Sequence, residues 1–115
     1  MHHIELLEKF ASLIDKVNKI SNDIKTLTNP QGAEIRKKGD LWSVILPPRE
    51  EGDSKIIEVR IVSNIDSFVT DKNKVIDFVG QLEDIKAEME KIVDELEEMD
   101  APYVEGLKDI VEKYF

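Results

Sequence analysis

The hydrophobic positions of this chain follow two periods, and the switch between them marks out its elements. From residue 3 to 28, apolar residues fall at Leu6, Phe10, Leu13, Val17, Ile20, Ile24 and Leu27, in alternating steps of four and three. That spacing lines one side of a helix and is the heptad seam of a helix packed along another helix. The run stops at Thr28-Asn29-Pro30-Gln31-Gly32, where proline cannot continue a helix and glycine permits a reversal. A second seam, Val75, Phe78, Leu82, Ile85, Met89, Ile92, Leu96 and Met99, predicts a helix over about 73–99. Beyond Asp100-Ala101-Pro102, the positions Val104, Leu107, Ile110, Val111 and Tyr114 predict a last helix over about 102–114, with Pro102 in its first turn.

Between the seams the period falls to two. Short strands are predicted near 34–38, 41–47 and 55–62, with Gly39-Asp40 as the turn of the first hairpin. Pro47 and Pro48 end the second strand, since proline cannot donate to a ladder, and residues 49–54 form an exposed, charged hairpin loop. The third strand sets Ile57, Val59 and Ile61 on one face and Glu58 and Arg60 on the other. Residues 63–74 predict a capped turn or short helix, with Ser63 and Asp66 at capping-box spacing.

These elements predict an α+β fold of order α-β-β-β-α-α, one domain over 1–115. An antiparallel pair of heptad helices and a short C-terminal helix pack with a small antiparallel β-sheet of about three strands. In the simplest register Leu6 faces Met99, Phe10 faces Leu96, Leu13 faces Ile92 and so on, with Lys9 and Lys16 opposite Glu95 and Glu88. The other flank carries Leu7, Ile14, Val79 and Val93 and calls for the last helix as its cover. The same seams also suit a coiled coil between two chains. In outline and chain length, two heptad helices around a β segment resemble β-class prefoldin subunits. The helices here are shorter, the β insert is longer, and Pro102 interrupts the second arm. The likeness is one of layout, and no function is carried over from it.

Composition narrows the classes. At 41% hydrophobic and 36% charged residues, the chain has the balance of a folded domain. No apolar run approaches the ~20 residues that span a bilayer, and the first residues lack the pattern of a signal peptide, so a cytoplasmic location is expected. The bias toward Lys, Glu, Ile and Val, with two Gln and no Cys, is that of a thermophilic, archaeal protein. The net charge of −9 is uneven: residues 81–115 hold twelve acidic and four basic side chains, whereas 1–80 hold thirteen and twelve. The acidic half repels phosphates, which makes nucleic acid an unlikely general partner.

The chemical inventory is small. With no Cys, and with His2 and His3 as the only histidines, the usual nucleophile–base pairs cannot be assembled. No enzyme activity, catalytic residue, cofactor or metal site is therefore expected. Glu50, Glu51 and Asp53 read as a solvated turn, because a calcium loop needs more ligands at fixed spacing. Glu83, Asp84, Glu88, Glu90, Asp94, Glu95, Glu97 and Glu98 form an acidic helix surface. It is either a solubilising face or a dock for a basic partner.

The β insert holds the other candidate surface. Alternation sets Trp42, Val44 and Leu46 on one face of their strand, with Ile57, Val59 and Ile61 offered by the next. The opposite face still carries Leu41, Ile45, Ile56 and Val62, so the sheet is apolar on both sides while the helices cover one. Leu41, Trp42, Ile45, Ile56 and Val62 are accordingly the expected protein-contact surface, without Trp42 if it faces inward. The function expected is a non-catalytic protein–protein interaction module, an oligomeric subunit, adaptor or small chaperone-like factor that self-associates. Two alternatives stand beside it. One is an acidic inhibitor or regulator, of viral or mobile-element type, that mimics nucleic-acid charge. The other is a nucleic-acid binder using Arg36, Lys37, Lys38, Arg49, Lys55 and Arg60.

Overall fold

The computed structural model describes residues 3–115. Helix α1 spans His3–Thr26, strands β1 to β5 span Glu34–Lys38, Leu41–Ile45, Arg49–Glu51, Ser54–Ile56 and Val59–Val62, and a 3₁₀ turn covers Asp66–Phe68. Helices α2 and α3 span Lys72–Glu98 and Val104–Tyr114. The fold is α+β: three helices, a three-stranded antiparallel sheet of order β1-β2-β5, and a two-stranded ribbon of β3 and β4. The chain divides into two compact units, and α1 and α2 each supply a segment to both.

The helical unit comprises α1 up to Lys19 together with Gln81–Phe115. Its core is the heptad seams: Leu6, Phe10, Leu13 and Val17 from α1, and Ile85, Met89, Ile92 and Leu96 from α2, are all buried. From α3, Val104, Leu107 and Val111 are buried, as is Val93 on the flank of α2. The start of α1 lies beside the chain that follows α2, for the His3 ring meets Tyr103 edge-on at 6.5 Å between centroids. Helix α2 closes in a Schellman turn, in which the Ala101 N–H donates to the Leu96 carbonyl at 3.1 Å and the Asp100 N–H to the Glu97 carbonyl at 3.0 Å. This turn carries Met99 out of the seam that the heptad pattern assigned it to, leaving it 38% exposed.

The sheet unit, Ile20–Gly80, has its own buried set of Ile20, Ile24, Ala33, Ile35, Val44, Ile65, Val75 and Val79. Here α1 ends where α2 begins: Thr28 and Val69 form an antiparallel bridge, the Asn29 N–H donates to the Phe68 carbonyl and the Thr70 N–H to the Leu27 carbonyl. The Asp71 side chain caps α2 by accepting the Lys74 N–H at 3.2 Å. The predicted Ser63–Asp66 capping box does not form, since Ile65 holds the cap position of the 3₁₀ turn without a side-chain bond. Asn64 Oδ1 instead accepts the Asp66 N–H at 3.3 Å.

The β insert departs from its sequence pattern at one place. The predicted strand over 55–62 is two strands. Its first part, β4, returns on β3 across a Gly52-Asp53 turn, and its second part, β5, pairs with β2. Residues 49–54, expected as a loop, are thus the end of a hairpin. Gly52 there has φ +63°, the left-handed geometry that a two-residue turn demands. The charged β3 residues hid the strand: Glu50 pairs across the ribbon with Lys55 and exposes no apolar rhythm.

Candidate interaction surface

The register of the three-stranded sheet decides which side chains share a face. Across β1 and β2, Ile35 pairs with Val44 and Lys37 with Trp42; across β2 and β5, Val44 pairs with Arg60 and Trp42 with Val62. Residues directly opposite lie on the same face, so Ile35, Lys37, Trp42, Val44, Arg60 and Val62 form one face. Ile35 and Val44 are buried and Trp42 and Val62 half-buried, which makes this the inner face. The Lys37 ammonium lies 5.7 Å from the Trp42 ring centre, within cation–π range.

The other face pairs Glu34 with Ile45, Arg36 with Ser43, Lys38 with Leu41, Ser43 with Ile61, and Ile45 with Val59. Leu41 is 46% exposed, Val59 52% and Ile61 60%, and Ile45 is half-buried beside Val59. These four apolar side chains run together over β2 and β5. Glu34, paired with Lys25 at 3.3 Å and Arg36 at 3.5 Å, borders them at the β1 side.

The surface expected from the sequence is therefore split. Leu41 and Ile45 lie on the outer face. Trp42 and Val62 lie on the inner face beside Val44. Ile56 belongs to the two-stranded ribbon, opposite Arg49. Val59 and Ile61, which alternation had grouped with Trp42 and Val44, stand on the outer face. A one-residue slip in register exchanges the faces of a strand, and the ladder slips by one between the Arg49–Ile56 pair of the ribbon and the Ile45–Val59 pair of the sheet, across Pro47-Pro48.

Strand β5 is also an edge of the sheet. The Leu46 N–H donates to the Glu58 carbonyl at 2.9 Å, extending the β2–β5 ladder by one step. An antiparallel ladder alternates hydrogen-bonded and non-bonded pairs, so Glu58, Arg60 and Val62 turn their backbone groups toward β2. Ile57, Val59 and Ile61 turn theirs toward the open edge. Ile57 is itself 60% exposed. Between these residues the Arg60 guanidinium pairs with the Glu58 carboxylate at 3.2 Å.

The acidic residues of α2 lie in the helical unit. Glu83, Asp84, Glu88, Glu90, Asp94, Glu97 and Glu98 are exposed and Glu95 is half-buried. Glu97 accepts a hydrogen bond from Lys108 at 3.0 Å, and that lysine also reaches Glu105 at 3.5 Å. The Glu97 bond and the two nearby carboxylates raise the Lys108 pKa above its ordinary 10.5, against a smaller opposing effect of burial. Glu90 and Asp94 line an open groove of about 550 Å³ with Lys86, Val93, Lys108 and Val111. The basic residues of the β insert do not converge. Arg36 and Lys38 lie on the outer face, Lys37 and Arg60 on the inner, and Arg49 and Lys55 on the ribbon. Arg36 and Arg60 are already paired with carboxylates. Glu50, Glu51 and Asp53 are exposed, and among the described residues no cluster of three metal-ligating side chains occurs. His2 lies outside the described residues.

No helix among the described residues is long and apolar enough to cross a membrane. No family model matches this chain, and it matches no curated protein and no solved structure.

Proposed function

We propose that this chain is a non-catalytic protein–protein interaction module that binds through the outer face and open edge of its three-stranded sheet. The observation that carries the reading is the apolar set on two hydrogen-bonded strands in which Leu41, Val59 and Ile61 are exposed and Ile45, opposite Val59, is half-buried. Single exposed apolar residues are ordinary, but a contiguous patch on a sheet marks a contact site. The surface revises the sequence expectation: Val59 and Ile61 replace Trp42, Ile56 and Val62. The side-chain inventory supports a binding role, since the catalytic groups of acyl, phosphoryl or thiol chemistry would have to be built without Cys and with histidines only at 2 and 3.

The test is a comparison of proteins captured from the native host by the wild-type chain, by Leu41→Lys with Ile61→Lys, and by a chain with Glu83, Glu90 and Asp94 neutralised. The reading expects a partner retained by the acidic variant and lost by the sheet variant, with folding unchanged in both. Capture that survives the sheet variant and is lost on neutralising the acids, and weakens with salt, would move the function to the acidic helix surface.

A further inference from the structure

The open edge of β5 has a sequence that complements itself. We infer that a second copy of this chain pairs with it there, antiparallel, joining two sheets into one of order β1-β2-β5-β5-β2-β1. The inference rests on the reading of the sheet as the contact surface and names the partner.

Residues 57–61 read Ile-Glu-Val-Arg-Ile. Reversed about Val59, apolar meets apolar and acid meets base. In an antiparallel pair centred on Val59, Val59 faces the partner's Val59, and Ile57 faces the partner's Ile61. Glu58 faces the partner's Arg60, and by symmetry Arg60 faces the partner's Glu58. This is an isologous contact, closed by one two-fold axis.

The backbone permits that register. Within β5 the groups free to bond outward belong to Val59 and Ile61, and continuing the alternation past the Leu46–Glu58 bond adds Ile57, which precedes the strand, so these residues form the hydrogen-bonded pairs, each exchanging both N–H···O=C bonds. The Val59-centred register pairs these residues with one another. Glu58 and Arg60 then occupy the non-hydrogen-bonded positions, where opposed side chains come closest. The neighbouring registers with the same parity are unfavourable. A shift one way sets Glu58 against the partner's Glu58, and a shift the other way sets Arg60 against the partner's Arg60. The charges thus select one register of several. Residues 57–61 contain no proline, and the charges that would guard this edge, Glu58 and Arg60, are opposite in sign and so complement a reversed copy of themselves. The two-fold axis stands perpendicular to the sheet. It brings the outer faces of both copies onto one side, so that Val59 and Ile61 continue into the partner's Ile57.

The purified full chain is tested by sedimentation velocity across roughly 10 µM to 1 mM, the range suited to a small interface. The variants are Glu58→Arg, Arg60→Glu and Val59→Pro. The wild type is expected to dimerise with concentration. Each charge reversal alone sets like charges opposite each other twice and weakens the dimer about tenfold. An equimolar mixture of the two reversals is complementary again and is expected to associate as the wild type does. Val59→Pro, which removes an outward N–H, abolishes association; circular dichroism checks its fold, and the charge variants stand without it. A wild type that stays monomeric throughout, a mixture no stronger than its components, or association that survives all three variants overturns the inference. A monomer that still loses its captured partner on Ile61→Lys fails this inference alone. Capture indifferent to Leu41→Lys and Ile61→Lys fails the reading of the face.

Discussion

The Thr28 hydroxyl accepts the backbone N–H of Ala33 at 3.1 Å, tying the end of α1 to the start of β1. The same hydroxyl donates to the Lys25 carbonyl at 3.0 Å, one of the carbonyls left over where a helix ends. Thr28 is 3% exposed and Ala33 fully buried, so both groups depend on protein partners. Thr28→Val keeps the shape and removes the hydroxyl. The Lys25 carbonyl retains the Gly32 N–H at 2.9 Å, whereas the Ala33 N–H keeps only a long 3.4 Å approach to Pro30. The substitution should cost about 1–2 kcal/mol in urea unfolding and speed amide exchange at Ala33. Unchanged stability and protection would show that the hydroxyl has no part in the junction.

Asp100 occupies the left-handed position of the turn that ends α2, with φ +54°. Glycine adopts that geometry without a Cβ penalty, and Asp adopts it more readily than a β-branched residue does. Asp100→Gly should stabilise the chain by about 0.5–1 kcal/mol, and Asp100→Val should destabilise it by about 1–2 kcal/mol. Thermal unfolding of the pair gives the check, since the two shifts must have opposite signs.

The helices were legible because their seams repeat over many turns. Phe10, Val17, Met89 and Leu96 are buried where a period of three and four puts them. The first hairpin was legible because Gly39-Asp40 closes Lys38 on Leu41 and so fixes β1 against β2. Beyond Pro47-Pro48 a second Gly-Asp turn, Gly52-Asp53, closes β3 on β4, but the register shifts by one residue between the Arg49–Ile56 and Ile45–Val59 pairs, and that offset, which alternation does not show, exchanges the faces of β5. Strand β3 was missed because Arg49, Glu50 and Glu51 are exposed and give no apolar period. The junction role of Thr28 was hidden for another reason. A threonine before Asn-Pro reads as a loop residue until the chain five positions on returns to it.

The two faces of the sheet should answer differently to truncation. Val44 is fully buried on the inner face, and Ile61 stands exposed on the outer one. Val44→Ala should cost about 2 kcal/mol, combining lost burial with the cavity left behind. Ile61→Thr keeps a β-branched residue at an exposed strand position and should change stability by less than about 0.5 kcal/mol. Denaturant unfolding at low protein concentration separates these effects from association. A large loss at Ile61 in the monomer would mean that the outer face is packed and would remove it as a contact surface.

Lys108 links α3 to the end of α2, and its charge should show in the pH dependence of stability. Its ammonium donates to Glu97 and lies near Glu105, and the pKa is raised above 10.5 mainly by the Glu97 bond. A group whose pKa is higher folded than unfolded binds its proton more tightly in the folded state. Its contribution is therefore fully present below 10.5 and is lost as pH rises from there through the folded value. The difference in stability between the wild type and Lys108→Met should be constant from neutral pH to about 10 and shrink above it. The Lys108 amine, followed by NMR, should titrate above 10.5, and Glu97→Gln should bring it back toward that value. A Lys108 titration unmoved by Glu97→Gln would mean that the bond across α2 and α3 does not hold in solution.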